Sequence, residues 1–383
     1  MSRRRWVLLT AGFLYIGGCA VVSKMGYRAA PTPSSTQEVL DHQYHDFVGV
    51  IHIHTRYSDG AGTFEEIARI ANSQHLDYLV VTDHNTLKPL RDGKQGWHGM
   101  TLVLVGMEIS TRGGHYLAMN VTEEINRDKL DTQQIIDEVN RQGGLGFIAH
   151  PYFKKRRWTD WSVHGMTGIE AYNVAHDTLD ENKMRLVMWT FGMPVEPFYA
   201  SILDRPYDPL NKWDQMIGRH GRLTGIGSSD AHEVRVMGLK FAPYEIMFQL
   251  IRTHVLLPTD TLTDQGVYQA LRDGHTYFAI ELFTPAKGFF FAAQQKDRIV
   301  GIMGDEIPWA PDMHLAVTLP APAQLTLMRD GQPVASTTAQ RWTIPVETPG
   351  TYRVEATRHD KPWIFSNPIY VRPTPTVVDS PKS

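Results

Sequence analysis

The chain has 383 residues, of which 42% are apolar and 21% charged, and its formal net charge is -3 at pH 7. This length and composition suffice for one large hydrophobic core and a smaller second domain. A chain without an excess of positive charge lacks the basic face that long nucleic acids need, so we expect no polymeric nucleic-acid partner. The composition leaves the oligomeric state open.

The N-terminus has the composition of an export signal. Arg3 to Arg5 precede an apolar run from Trp6 to Ile16, and small residues follow from Gly17 to Ala20. A basic stretch, an apolar run and small residues in this order are typical of a signal peptide. We therefore predict a signal or lipoprotein-type segment over residues 1–22 and a periplasmic or cell-envelope location.

The only cysteine of the chain, Cys19, stands at the end of this signal. Ile16 to Cys19 resemble the lipobox of bacterial lipoproteins, in which the cysteine is acylated, so we predict lipidation at Cys19 and attachment to the membrane. An uncleaved anchor is the alternative, because Trp6 to Val22 is barely long enough to span a bilayer. The residues that follow are rich in proline and serine, and we therefore predict a linker over residues 23–45.

Apolar runs of strand length alternate with helical patterns through the middle of the chain. The predicted strands are Phe47 to Ile53, Asp77 to Thr82, Thr101 to Met107, Tyr116 to Asn120, Leu145 to Ala149, Gly168 to Tyr172 and Leu223 to Gly227. The predicted helices are Phe64 to Gln74, Asp131 to Gln142, Leu179 to Phe191 and Leu210 to His220. In a barrel of parallel strands the carboxyl ends share one face, which normally carries the chemistry.

Polar residues follow the ends of the predicted strands. His52 and His54 lie two residues apart, so a regular strand sends both imidazoles to the same face. Four further groups stand where an apolar run ends: Thr82 to His84, Gly106 to Ser110 around Glu108, Ala149 to Pro151, and Ser228 to His232. Histidine and carboxylate ligands together suit Zn, Mn or Fe, and one carboxylate can bridge two cations.

In this order, the motifs HIHTRYSDG, TDHN, the lone Glu108, AHP and SDAH resemble the metal-binding motifs of the polymerase and histidinol phosphatase (PHP) family. The resemblance covers about Asp46 to Phe283. It implies an α/β fold with a distorted (β/α)7 TIM-like barrel over residues 46–283. It also implies a metal-dependent phosphoric ester hydrolase that uses a hydroxide held at a centre of two or three divalent metal ions, Zn, Mn or Fe.

The resemblance also implies a role for each matched residue. His52 and His54 would bind one metal, Asp59 and His84 a neighbouring metal, and Glu108 would bridge them. The remaining predicted ligands complete the shells, namely His150, Asp230 and His232, together with His115 at a position that in some members reaches a further metal. Asp59 and His232 are the candidates for the catalytic general acid, and Asp83 is predicted to orient a ligand. For any one of these residues, a hydrogen-bonded buried polar group is the alternative, and for His115 an exposed turn residue.

Basic residues near two of the motifs are candidates for binding substrate. Lys154 to Arg157 directly follow the AHP motif, and Arg235 lies just beyond SDAH. We predict that Lys154, Arg156 and Arg235 bind the phosphate of the substrate, and a solvated basic surface is the alternative. Histidines outside the motifs, such as His254, are interpreted as ordinary surface or structural residues.

The pattern changes after Phe283. Helical periodicity ends, and short alternating runs appear at Leu325 to Arg329, Trp342 to Val346, Tyr352 to Ala356 and Ile369 to Arg372. Turn dipeptides separate them, so we predict a small C-terminal β-sandwich over residues 284–373 and a disordered tail over 374–383.

The leading hypothesis is an exported phosphoesterase that acts on small-molecule phosphate esters, such as nucleotides or sugar phosphates. One alternative is another metal-dependent, amidohydrolase-like hydrolase, since those enzymes share the HxH pair, although they typically use a bridging lysine and no lysine stands at a predicted strand end. A second alternative is a non-catalytic barrel with a β-domain that binds the cell envelope.

Overall fold

The computed structural model describes residues 43–175, 199, 201, 203–236, 239–296 and 298–374. The predicted signal, Cys19, the helix from Leu179 to Phe191 and most of the predicted linker and tail lie outside the described residues. Within those ranges, no helix is long and apolar enough to cross a membrane.

The strands between His45 and Ala279 form two sheets and a small hairpin. The first sheet contains β1 (His45–Ile53), β2 (Tyr78–Val81), β3 (Gly96–His98), β4 (Thr101–Val105), β12 (Arg252–Leu257) and β13 (Thr276–Ala279). The second contains β5 (Met107–Ser110), β6 (His115–Met119), β7 (Leu145–Ile148), β8 (Gly168–Asn173) and β9 (Thr224–Ser228). A small hairpin is formed by β10 (Val234–Val236) and β11 (Leu239–Phe241).

Helices stand between the strands, as the alternating pattern predicted. They are α1 (Phe64–Ser73), α2 (Lys88–Arg91), α3 (Thr132–Arg141), α4 (Tyr207–His220), α5 (Tyr244–Leu250) and α6 (Asp264–Asp273). A capping box stands at the start of α1: the Thr63 side chain accepts from the Glu66 amide, and the Glu66 side chain accepts from the Thr63 amide. Two otherwise unpaired backbone donors are thereby satisfied, which fixes where the helix begins.

The mixed α/β fold is confirmed, whereas the closed parallel barrel is not. β1 is parallel to β2, and β2 to β4, but β1–β12, β5–β6 and β6–β7 are antiparallel pairs. The two sheets are open and meet through two isolated bridges, Ile53 with Ala231 and His84 with Glu108.

The physical reason lies at Gly106, the one residue between β4 and β5. The chain passes there from one sheet to the other, and a Cβ at this position would lie 2.5 Å from the carbonyl oxygen of Ala118. The short turn from Ser110 to His115 then returns the chain as an antiparallel neighbour, since a parallel neighbour would need a longer crossover.

The C-terminal part is built of strands, as predicted, but they extend the first sheet and no separate β-sandwich is confirmed. They are β14 (Phe290–Gln295), β15 (Arg298–Ile302), β16 (Glu306–Pro308), β17 (Met313–Arg329), β18 (Gln332–Pro345), β19 (Gly350–Arg358), β20 (Lys361–Ser366) and β21 (Ile369–Arg372). β13 pairs with β20 in antiparallel register, so one sheet of 14 strands runs from β3 to β15. The predicted domain bounds stay predictions.

Candidate metal centre

The end of β1 brings His52 and His54 together, although not by regular alternation. His52 has a φ of +67°, and the pairing of β1 with β2 shifts register between Ile51 and Ile53. The two imidazole ring centroids nevertheless lie 5.0 Å apart. The irregular strand end is held by the SDAH segment, because the His54 amide donates to the Ala231 carbonyl at 3.0 Å. The predicted convergence is therefore correct, but a bulge produces it.

Glu108 lies at the middle of the predicted ligands, with only 1% of its surface exposed. Its Oε2 faces three imidazole nitrogens, His52 Nε2 at 3.2 Å, His54 Nε2 at 3.2 Å and His84 Nδ1 at 3.1 Å. Its Oε1 faces His115 Nδ1 at 2.7 Å and His150 Nε2 at 2.9 Å. The two oxygens of one carboxylate thus face two different sets of histidines.

Three of these nitrogens are buried without a hydrogen-bond partner among the described residues: His52 Nε2, His54 Nε2 and His84 Nδ1. Buried polar atoms are normally paired, so a cluster of unpaired nitrogens beside a carboxylate calls for an explanation. Imidazole nitrogen and carboxylate oxygen are the donors that Zn, Mn and Fe take in proteins, and the residues present therefore fit a cation.

The potential ligand atoms form three overlapping groups. In each group, all of these atoms lie within 4.8 Å of one another. The groups are His52, His54, Glu108 and Asp230; then His54, Asp59, His84 and His232; and finally His84, Glu108 and His115. His150 belongs to none of these groups but lies beside the third, since its Nε2 is 3.2 Å from His115 Nδ1. The structure thus brings all nine predicted metal ligands to one place, and it shows which of them are neighbours.

The second group forms the solvent side of the cluster. The side chain of Asp59 is 53% exposed, that of His232 29% and that of His84 24%. Asp59 Oδ1 lies 3.4 Å from His232 Nε2, and Asp59 Oδ2 lies 3.6 Å from His84 Nε2. Asp59 and His232, the candidate general acids, therefore stand where a substrate could reach them.

In the cluster, the negative charges of buried carboxylates are balanced by positive charges on imidazoles. Burial alone would raise the pKa of Glu108, but the charge of His52 and a hydrogen bond with His115 hold it well below its usual value. Burial disfavours charged His54, yet the carboxylates of Asp230 and Glu108 beside its Nε2 raise its pKa to about 9. For His84 burial dominates and lowers the pKa to about 4. Cations could replace the protons that neutralise this cluster, since ligands bind metals after deprotonation.

Asp83 acts on the loop that carries Asp59. Its Oδ1 accepts hydrogen bonds from the Thr55 amide at 2.8 Å and from Ser58 Oγ at 2.7 Å, and its Oδ2 accepts from Thr55 Oγ1 at 2.8 Å. The prediction that Asp83 orients a ligand remains a prediction. Asp83 would orient Asp59 through the segment from Thr55 to Ser58, which its carboxylate holds by these hydrogen bonds.

Two residues of the site received no role from the sequence. Glu170 on β8 lies with Oε1 2.6 Å from His52 Nδ1. Tyr244 on α5 donates from its hydroxyl toward the His54 and His232 carbonyls, at 2.8 and 2.9 Å. Because Glu170 lies near the end of a predicted strand, the sequence could have indicated a role for it in the site. No local pattern marks Tyr244, which follows a proline at the start of a short helix.

The predicted substrate-binding residues fall into two environments. Lys154 and Arg156 are exposed, in a loop that begins beside the cluster, because the Phe153 ring lies 5.8 Å from the His150 ring. Arg235 instead pairs with the buried Glu233 at 2.6 Å and with Glu66 at 3.4 Å. Its guanidinium therefore already ties the β10–β11 hairpin to neighbouring carboxylates.

No family model matches the chain. Two uncharacterized proteins of Methanocaldococcus jannaschii are similar in sequence. One is 27% identical over 141 residues, covering 33% of this chain and 81% of that protein. The other is 32% identical over 78 residues, covering 20% of this chain and 28% of that protein.

Three solved structures are similar to the chain. A two-domain protein from Bacteroides vulgatus, containing a predicted PHP-like metal-dependent phosphoesterase, is 17% identical with a TM-score of 0.42, over 85% of this chain and 96% of that chain. A protein from Bifidobacterium adolescentis, described provisionally as a metal-dependent phosphoesterase, is 16% identical with a TM-score of 0.31. The match covers 50% of this chain and 88% of that chain. An amidohydrolase from Chromobacterium violaceum is 14% identical with a TM-score of 0.32. The match covers 48% of this chain and 87% of that chain. The similar structures thus include a protein described as PHP-like, but at these TM-scores the likeness carries no argument about the activity or substrate of this chain.

Proposed function

We propose that this chain is a PHP-type metal-dependent phosphoesterase that hydrolyses small phosphate esters at a centre of two or three divalent cations. One observation carries the proposal: five imidazole nitrogens lie within 3.2 Å of the buried Glu108 carboxylate. The burial of so many metal-ligating groups around one carboxylate costs free energy unless their charges are compensated.

Glu108 is suited to hold two cations side by side. Its Oε2 faces His52, His54 and His84, whereas its Oε1 faces His115 and His150. Bound divalent cations would supply a Lewis acid that lowers the pKa of water and neutralises phosphoryl oxygens. The chain's own contribution is to fix the ligands in a buried cluster that opens to solvent beside Asp59.

The choice of phosphate esters over amides rests on the motif order and on the bridging group. Amidohydrolases typically bridge their metals with a lysine, whereas the residue between the two sets of histidines here is Glu108. A phosphate ester also suits a site with exposed cationic side chains near its edge, and we assign this part to Lys154 and Arg156. Arg235 is the weaker candidate, because two carboxylates already neutralise it.

Asp59 and His232 differ in which proton step they can perform. Burial would raise the pKa of Asp59, but the hydrogen bond with His232 outweighs burial and holds that pKa far below its usual range. Asp59 therefore stays a carboxylate that can orient the His232 ring. We assign the donation of a proton to the leaving oxygen to His232.

The proposed location is the bacterial cell envelope, with the chain attached through a lipid on Cys19. Support comes from the order of basic, apolar and small residues before this cysteine. In cells that process lipoproteins, the wild type should be found in the membrane fraction with a diacylglyceryl group on Cys19 by mass spectrometry. A Cys19→Ala variant should be released, and a wild-type chain without the lipid would refute the attachment.

The enzymatic proposal is tested with purified protein loaded in turn with Zn, Mn or Fe. Bound metal is measured by elemental analysis, and phosphate release is measured on nucleotides, sugar phosphates and an aryl phosphate, with amides as comparison substrates. We expect at least two bound ions and phosphate release that a chelator abolishes. Cleavage of amides alone would assign the amidohydrolase alternative, and metal binding without any turnover would assign the non-catalytic one.

A further inference from the structure

Glu170 lies beside the three metal-binding groups but belongs to none of them. It is fully buried on β8, and its Oε1 is 2.6 Å from His52 Nδ1. Its Oε2 accepts hydrogen bonds from the His150 amide at 2.6 Å and from Asn173 Nδ2 at 3.0 Å. One carboxylate therefore contacts His52 from the first sheet and His150, which follows β7 of the second.

We propose that Glu170 is a positioning residue that determines which nitrogen of His52 is offered to a cation. This inference rests on the proposed metal centre. A neutral imidazole carries one N–H, and a buried carboxylate at Nδ1 places that N–H there. The lone pair is then at Nε2, and this atom lies 3.2 Å from Glu108 Oε2 and 3.3 Å from Asp230 Oδ1.

The second oxygen of Glu170 holds the backbone of another ligand. His150 has a φ of +26°, a conformation that is rare for residues other than glycine. Its amide donates to Glu170 Oε2, so this bond helps to keep the strained backbone in place. Glu170 thus positions a side chain on one sheet and a strand end on the other, which no β-ladder among the described residues connects directly.

A glutamine at position 170 cannot replace both contacts. A carboxylate offers an acceptor on each oxygen, whereas a glutamine offers one acceptor and one NH2 donor. If the NH2 of the glutamine faces His150, it meets the backbone N–H of that residue. If it faces His52 Nδ1, it either meets an N–H there or moves the proton of His52 to Nε2, the atom offered to the cation. The Glu170→Gln variant therefore keeps the volume of the side chain and removes either one of its two contacts or the Nδ1–H tautomer of His52.

The experiment compares E170Q with E281Q in the full-length protein. Glu281 is a matched control, since it is buried, accepts from His254 Nε2 at 3.2 Å and accepts from the Ala286 amide, away from the metal-binding groups. Zn2+ affinity is measured by competition with a chromophoric chelator, Co2+ binding by visible absorption, and stability by urea unfolding. We expect both variants to lose stability.

Only E170Q should weaken the binding of at least one Zn2+ ion, by about 10–100-fold, and alter the Co2+ spectrum. Wild-type affinity and spectrum in E170Q would reduce Glu170 to a structural role and overturn the inference. A wild type that binds no Zn2+ or Co2+ would instead refute the metal centre itself. If E170Q does not fold, E170D keeps the charge but is too short for both contacts, and unchanged Zn2+ affinity in E170D would overturn the inference equally.

Discussion

At the scale of single residues, the site is marked by backbone strain. His52, His150 and Asp230 have φ values of +67°, +26° and +49°. Such conformations cost on the order of 1–3 kcal/mol each, and they persist only where surrounding contacts determine them. Ser229 supplies one of those contacts, because its hydroxyl donates to the His52 carbonyl at 2.9 Å. Nine other described residues besides glycine also have a positive φ, but these three carry side chains that meet at Glu108.

Replacement of Glu108 should disrupt the whole centre. Glu108→Gln keeps the shape of the side chain but removes the charge shared by five imidazole nitrogens, so we expect the loss of at least one bound cation. Phosphate release should fall by more than the roughly 10–100-fold that the loss of an orienting partner costs. Elemental analysis and phosphate assays measure both effects. Glu124→Gln, a change in a surface ion pair with Arg91, is the control, and near-normal turnover in Glu108→Gln would remove the basis of the centre.

The proposed acid role of His232 predicts a dependence on the leaving group. His232→Gln should slow hydrolysis of an alkyl phosphate by about 10²–10⁴-fold, since an alkoxide leaves poorly without a proton. An aryl phosphate with a good leaving group should be slowed much less. Steady-state kcat for the two esters measures the difference, with the exposed His314→Gln as control. Equal losses for both esters would point to a role in binding metal instead of donating a proton.

At the scale of secondary-structure elements, one hydroxyl joins three segments of the site. Tyr244 at the start of α5 contacts the carbonyls of His54 and His232, and it accepts from the Gly62 amide at 3.1 Å. These segments are the end of β1, the SDAH loop and the turn before α1. The position of His232 relative to His54 therefore depends on a helix far along the chain.

Tyr244→Phe should lower the free energy of unfolding by about 1–3 kcal/mol, because buried polar groups of the backbone lose their partner. Tyr116→Phe is the matched control: the Tyr116 hydroxyl is buried and has no hydrogen-bond partner in the described ranges, so its removal should cost little. Urea unfolding measures both variants. The idea fails if the two substitutions destabilise the protein equally.

A second link between elements predicts how stability depends on pH. His254 on β12 lies between Asp46 Oδ1 of β1, at 2.8 Å, and Glu281 Oε1 after β13, at 3.2 Å. The sequence predicted an ordinary surface or structural residue at His254, and its complete burial favours the structural one of these two interpretations. Burial opposes the charged imidazole, but Asp46 and Glu281 outweigh it and raise the pKa of His254 to about 9.

The folded pKa of His254 lies above its unfolded value, so its stabilising effect is complete below about pH 6.5 and is lost as the pH rises through about 9. Against His254→Gln, the wild type should therefore lose on the order of 3 kcal/mol between pH 6 and pH 9. Urea unfolding at both pH values, with metal removed, measures this difference. A gap between wild type and variant that stays constant with pH would contradict the assignment.

At the scale of the whole molecule, the C-terminal strands are integrated with the part that carries the site. Tyr277 of β13 lies in the same buried cluster as Trp363, and Phe365 lies in the cluster that contains Val50 of β1. The buried Arg353 on β19 pairs with Asp214 on α4 through two hydrogen bonds, at 2.7 and 2.9 Å. Removal of one partner from a buried ion pair strongly destabilises a protein, because the other charge is left buried without compensation.

Truncation after residue 283 should therefore prevent folding. It would leave β13 without its partner β20, expose an unpaired sheet edge and leave Asp214 without Arg353. We expect an aggregated or non-cooperatively unfolding fragment by size-exclusion chromatography and circular dichroism, with the full chain as control. A truncated protein that folds and binds metal like the full chain would show instead that the two parts are independent.

The sequence alone determined the elements and the set of polar residues at their ends. Strand and helix periods and the order of His, Asp and Glu motifs are local properties, and the family resemblance carried by that order implied nine ligands, which do meet at one place. Such features follow from the chemistry of residues a few positions apart, which the chain carries in any conformation.

Only the tertiary structure decided how those elements join. The bulge at His52, the antiparallel return after Ser110, the continuation of the first sheet through β20 and the contacts of Glu170 and Tyr244 all depend on pairings between distant residues. Hydrogen-bond register and packing set these pairings, and their free energies come from partners that the local sequence does not specify. The predicted ligands could therefore be named from the order of residues, whereas their neighbours and supporting contacts depend on the tertiary structure.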